Sequence, residues 1–261
     1  MTETSTAGRL WADDERARLL GLVDQVDSIE LKTSVADADR RSAVAALDLD
    51  PLAADLVQVW FFDTPGLDLN AAGVIVRARR TRARDDTTVK LRPVVPDELP
   101  EGLRAKSGFG VEIDAMPTGF VCSGRLKRKL EPGTVRETML GGKPTRKLFS
   151  KSQRAFFEQF APAGLSLDDV RPLGPITVLK LNFTPRGFDR RMVAELWTYP
   201  DGSRILELST KCEPAEVFDV AASTRAFLEG RGIDLSGVQQ TKTKTALDYF
   251  AGELREQEGD S

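Results

Sequence analysis

The chain has 261 residues, 41% hydrophobic and 30% charged, with a formal net charge of -3. That length holds one large β-rich domain or two small ones, and the acidic balance argues against nucleic acid as a partner. Histidine is absent altogether, which excludes histidine triads, histidine general bases and the usual histidine-containing zinc sites.

Taken in order, Met1 to Gly8 is small and polar and is expected to be disordered. Leu10 to Val26 carries Leu19, Leu22, Val23 and Val26 at helical spacing, which predicts a short amphipathic helix on the outside of a domain. Ser28 to Val35 alternates cleanly: Ile29, Leu31 and Val35 face one way, Ser28, Glu30, Lys32 and Ser34 the other. Asp37 to Asp48 reads as a helix. Val57 to Phe62 is a bulky strand stopped by Asp63-Thr64-Pro65-Gly66, in which Asp63 and Thr64 form the turn while Trp60, Phe61 and Phe62 pack. Gly73 to Arg80 and Thr88 to Arg92 are strands that put Arg77 with Arg79, and Lys90 with Arg92, on the face opposite their apolar residues.

A proline-rich loop, Pro93 to Pro100, precedes the strand Gly110 to Ala115, with Glu112 and Asp114 on one face. From Gly124 to Arg154 ten basic residues, Arg125 and Lys127 among them, stand against two acidic ones. With its glycines and prolines this segment predicts a weakly ordered insertion, either a solvated face or a funnel for a polyanion, leading into a helix from Lys151 to Phe160. Ile176 to Thr184 is a strand carrying Lys180. Arg191 to Tyr199 and Arg204 to Cys212 make a hairpin around Pro200-Asp201-Gly202, bearing Glu195 and then Glu207, Ser209 and Lys211. Val217 to Glu229 is a helix, and Lys242 and Lys244 lead into a last one, Thr245 to Leu254.

The resulting organisation is a tail and short helix over 1–24, one domain over 25–252 with an enlarged basic insertion over 116–175, and a disordered tail over 253–261. Cys122 and Cys212 lack metal spacing and are expected to be reduced thiols. No apolar run is long enough to span a bilayer and no signal-peptide core is present, so the expectation is a cytoplasmic protein with no membrane partner. Eight strands have an apolar face that helices can cover and a face rich in lysine, arginine, glutamate and aspartate. The predicted class is α+β: an eight-stranded antiparallel closed β-barrel, a tunnel, with helices packed on the outside. Charges of both signs turned inward are tolerable when they alternate and hold ions, so a metal-bound polyphosphate is the expected occupant.

These residues resemble the CYTH superfamily, or triphosphate tunnel metalloenzymes, which includes thiamine triphosphatases, inorganic triphosphatases and class IV adenylate cyclases. The resemblance lies in Ile29-Glu30-Leu31-Lys32, Phe62-Asp63-Thr64-Pro65, Ala72-Gly73-Val74-Ile75-Val76-Arg77-Ala78-Arg79, Val89-Lys90-Leu91-Arg92 and Leu206-Glu207-Leu208. It implies catalytic roles for Glu30, Lys32 and Glu207, and triphosphate binding by Lys32, Arg77, Arg79, Lys90, Arg92, Lys180, Lys211 and Lys244. It also implies Mg²⁺ or Mn²⁺ held by Glu30, Glu112, Asp114, Glu195 and Glu207. The implied function is hydrolysis of tripolyphosphate, thiamine triphosphate or a nucleoside triphosphate. Cyclisation of ATP to cyclic AMP, or polyphosphate binding without turnover, are the alternatives, and a homodimer is admitted. Two departures stand out: Ser28 and Ser209 occupy positions where the family's motifs carry glutamate, each removing a negative charge from the expected metal site.

Overall fold

The computed structural model describes residues 11–141, 143–235 and 242–259. The predicted N-terminal tail therefore lies outside the described residues, as do Gly142 and the last two positions. The chain begins with α1 (Asp13–Leu20), whose acidic first turn, Asp13 to Glu15, complements the positive end of the helix dipole. There follow β1 (Ser28–Val35), α2 (Arg40–Ala46), β2 (Asp55–Asp63), α3 (Asp68–Ala71), β3 (Val74–Arg80), β4 (Asp85–Leu91), β5 (Phe109–Met116) and β6 (Gly119–Leu130). Then come α4 (Thr134–Met139), α5 (Lys151–Phe160), β7 (Arg171–Phe183), β8 (Met192–Thr198), β9 (Arg204–Cys212), α6 (Val217–Gly230) and α7 (Lys242–Gly259).

Among the described residues nine strands close into a barrel in the order β1-β5-β6-β4-β3-β2-β7-β8-β9. Neighbours are antiparallel except β1 and β5, which run parallel with Glu30 beside Asp114. The expected count of eight, all antiparallel, is corrected on both points, and one cause covers both. Strand directions can alternate around a closed ring only when the number is even, so a ninth strand forces one parallel seam.

The ninth strand is β6, inside the segment read as an insertion. Its Cys122 and Leu126 turn outward into apolar clusters, while Arg125 and Lys127 turn inward. Its alternation was masked in the sequence because Arg128 falls on the outward face, where its guanidinium donates to the Leu148 carbonyl. The remainder of the basic segment is ordered by packing. Ser150 and Gln153 form a capping box at the start of α5. The fully buried Gln153 amide then donates to the backbone carbonyls of Thr87 and Leu126, fastening α5 across β4 and β6. The C-terminal tail expected from residue 253 is also corrected, because α7 continues to Gly259.

Inward and outward faces separate as the alternation requires. Outward residues such as Trp60, Phe62, Val76, Val89 and Leu126 pack against Phe156 and Phe157 of α5. Ile29, Leu31, Ile113 and Cys212 pack under α1 and α6. The exception is instructive. Val57, Val59, Phe61, Val178 and Trp197 face inward, yet they are buried, because Ala246, Leu247 and Phe250 of α7 join them in one cluster. The last helix thus closes one end of the barrel with apolar contacts. Asp63 serves the turn: its buried carboxylate accepts from the backbone N–H groups of Thr64, Leu69 and Asn70, holding the start of α3. No described helix is long and apolar enough to cross a membrane.

A charged tunnel as the candidate functional site

The barrel encloses a cavity of about 370 Å³, within the range of small-molecule sites. Every strand contributes to its wall by the same rule, alternate residues facing in. Glu30 and Lys32 come from β1, Arg77 and Arg79 from β3, and Asp86, Thr88 and Lys90 from β4, with Arg92 just beyond. Glu112 and Asp114 come from β5, Arg125 and Lys127 from β6, Lys180 from β7, Glu195 from β8, and Glu207 and Lys211 from β9. All the site residues expected from sequence therefore share one cavity, with a single exception. Lys244 is exposed and pairs with Asp248 on its own helix, 3.2 Å away. Lys242, two residues earlier at the start of α7, enters the tunnel instead.

Arg125, Lys127 and Lys242 were missed as site residues. For the first two the only available signal was alternation with Cys122 and Leu126. For Lys242 there was none, since only packing of α7 decides which lysine enters.

Counting by charge, eleven lysines and arginines line the tunnel against six aspartates and glutamates, a formal excess of five. The carboxylates are each engaged. Asp114 holds Lys32 at 2.7 Å, Lys90 at 3.1 Å and the Arg92 guanidinium. Glu112 holds Lys90 at 2.9 Å and Arg125 at 2.6 Å, and Asp86 holds Arg79 in a two-point contact together with Lys127. Glu195 and Glu207 lie opposite each other on β8 and β9, bridged by the Lys242 ammonium at 2.7 and 2.6 Å, and Lys180 completes Glu195. Glu30 pairs with Lys32 and accepts from the Ser209 hydroxyl at 3.0 Å.

Arg77 differs. It has no ion-pair partner among the described residues, and its buried Nε has no hydrogen-bond partner. Burial, with the neighbouring Arg79, lowers its pKa to about 10. The same causes act around it. Lys127 is lowered to about 8 by burial and Arg79, and Lys90 to about 7 by burial and Arg92, despite its carboxylate partners. Among the acids, burial pushes Glu30 up, but Lys32, Lys211 and Lys242 overcome it and bring it down to about 2. The wall of β3, β4 and β6 is thus a desolvated surface short of negative charge.

The expected metal ligands are each engaged by a cation of the tunnel wall. Among the described residues no three acidic, cysteine or histidine side chains gather as a metal-binding group. Glu112, Asp114 and Glu195 are each neutralised by lysine or arginine. Glu30 and Glu207 are paired as well, with Lys32 and Lys242, and Ser209 stands beside Glu30 where a further acid was expected. Mg²⁺ characteristically takes only one or two carboxylates and completes its shell with substrate phosphates and water, so this donor set fits a cation that arrives on the substrate.

No family model matches the chain, and no curated protein matches it. Solved structures do. A candidate adenylate cyclase from Bacillus halodurans is 12% identical, with a TM-score of 0.58 over 84% of this chain and 97% of that one. A candidate adenylyl cyclase from Hippeastrum, described as having a dominant triphosphatase activity, is 18% identical, with a TM-score of 0.58 over 82% of this chain and 92% of that one. With its closed barrel, inward charges and these neighbours, the chain has the CYTH, or triphosphate tunnel, fold.

Proposed function

We propose that the tunnel binds a linear triphosphate and that the chain is a phosphohydrolase acting on it, with Mg²⁺ or Mn²⁺ entering as the metal complex of the substrate. The observation that carries this reading is Arg77, a desolvated guanidinium with no counter-ion among the described residues, in a wall with excess positive charge. Such a group is costly in the free protein and is satisfied by an anion with several oxygens. Arg79, Lys90, Arg92 and Lys127 line the same wall and, though each is paired with a carboxylate, add positive charge within reach of the phosphate oxygens. Tripolyphosphate, thiamine triphosphate and nucleoside triphosphates all offer that chemistry.

In hydrolysis a water oxygen bonds to the terminal phosphorus as the bond from that phosphorus to the bridging oxygen breaks, the water's proton passing to the products, which are orthophosphate and the remaining diphosphate. The arginines and lysines hold the chain in line and offset the charge that accumulates on the leaving oxygen. Glu30 and Glu207 would hold the cation, which when bound neutralises phosphate charge and acidifies water. Phosphate release from tripolyphosphate, thiamine triphosphate and ATP, with Mg²⁺ or Mn²⁺, tests the reading. Release above a Glu207→Ala control is expected, with cyclic AMP measured alongside to detect cyclisation. The second reading, polyphosphate binding without turnover, is favoured by Ser28 and Ser209. It would be selected by tight binding with no release from any of the three.

A further inference from the structure

We infer that Thr88 is a phosphate-binding residue of the tunnel, its hydroxyl completing with Arg77 a two-residue cradle for one phosphoryl group. This rests on the triphosphate reading and adds to it a neutral donor that no charge pattern indicates. Thr88 lies on β4 between Asp86 and Lys90, with its side chain turned into the tunnel and only 4% exposed. Its Oγ1 is buried and has no hydrogen-bond partner among the described residues. It stands directly across from Arg77 on β3 and from Lys127 on β6. Side chains facing each other across an antiparallel pair have their β-carbons about 5 Å apart. Two unsatisfied buried donors, the Arg77 Nε–H and the Thr88 hydroxyl, therefore belong to neighbouring side chains on one wall, with Lys127 opposite Thr88 on the next strand.

The neighbouring residue supplies the comparison. Thr87 is equally buried but faces outward, and its hydroxyl is satisfied by Gln153 Oε1 at 3.1 Å and the Leu148 carbonyl. Thr33 and Thr224 also have unpartnered hydroxyls. Neither lines the tunnel, so an orphan hydroxyl alone marks nothing. At Thr88 the orphan belongs to a residue that lines the tunnel and stands across from an uncompensated cation, so a small shift of either side chain would bring both donors to one oxyanion. A hydroxyl also adds no charge to a wall whose lysines and arginines already depress one another's protonation. It can donate to phosphate without deepening that repulsion.

The test separates a ligand role from a packing role by opposite signs. Thr88→Val keeps the shape and removes the unsatisfied hydroxyl. It should raise the melting temperature of the ligand-free protein by a few degrees, since a buried group without a partner is destabilising. The same variant should weaken inorganic tripolyphosphate binding about tenfold by calorimetry, about 1.4 kcal/mol. Thr88→Ser, which keeps the hydroxyl, should bind like the wild type. A lowered melting temperature in Thr88→Val would mean that the hydroxyl has an internal partner, and would overturn the inference. Unchanged affinity in Thr88→Val, with the wild type binding, would overturn it while leaving the triphosphate reading intact. A wild type that fails to bind tripolyphosphate removes both.

Discussion

Arg77 and Arg79 are two residues apart on one face of β3, yet substitution should separate them. Arg79 is a bidentate partner of Asp86, so Arg79→Ala leaves Asp86 dependent on Lys127 and should destabilise the fold. Arg77 has no such partner. Arg77→Met, which keeps the stem and removes the charge, should raise the melting temperature of the free protein. It should also cost about 2 kcal/mol of tripolyphosphate affinity, roughly thirtyfold, the scale of a charge-assisted contact. A variant that both melts lower and binds normally would contradict the role given to Arg77.

The depressed lysines make a second prediction at the same scale. Lys90 near 7 and Lys127 near 8 are partly neutral at mildly alkaline pH, and an anion beside them favours their charged forms. Triphosphate binding should therefore take up protons around pH 8, and affinity should fall as pH rises from about 6 to 9. Calorimetry in buffers of different ionisation enthalpy reads the uptake directly, and zero uptake would refute it. In the free protein the sign is opposite. A buried lysine of lowered pKa destabilises while charged, so its penalty is fully present below about pH 7. That penalty is relieved as pH climbs toward the ordinary lysine value of 10.5.

At the scale of elements, α7 is both a plug and a donor of charge. Its apolar face closes the barrel against Val57, Phe61, Val178 and Trp197. Its first residue, Lys242, keeps apart two glutamates that face each other across β8 and β9 and also lies over the Trp197 ring. Lys242→Met should leave Glu207 without its lysine and Glu195 with Lys180 alone, and destabilise the protein by about 3 kcal/mol at pH 7. The pH dependence follows from Glu195. Burial raises its pKa, but Lys242 and Lys180 overcome this and hold it well below the ordinary carboxylate value of 4.5. Its stabilising contribution is therefore present above that value and lost as pH falls further. The gap between wild type and Lys242→Met, measured by denaturant midpoints, should narrow on acidification from pH 7 to below 4.5. A gap that stays constant would mean that Lys242 acts through packing alone.

One element marks where local patterning stops being readable. The limits of β1 and of α5 were legible because alternation and a Ser150–Gln153 cap are local signals. β6 was not, because its outward face carries Arg128, whose guanidinium is satisfied only by a carbonyl 20 positions away. The density of charge, read as either a solvated face or a funnel for a polyanion, supplies two cations to the tunnel wall.

For the whole molecule, an overall charge of -3 coexists with a tunnel excess of five, so bulk acidity and local binding chemistry point in opposite directions. Alternation within each strand, the absence of histidine and the paired cations of Arg77, Arg79, Lys90 and Arg92 were determined by the sequence alone, because side-chain direction along a strand is a local consequence of the pleat. Ring closure decided the rest. It set the parallel seam between β1 and β5, chose Lys242 over Lys244, and brought Arg125 and Lys127 inside. It also paired each carboxylate with its cation while leaving Arg77 and Thr88 without partners. Those outcomes depend on which strands become neighbours across the barrel, and contacts between residues tens of positions apart in the chain leave no periodic trace in it.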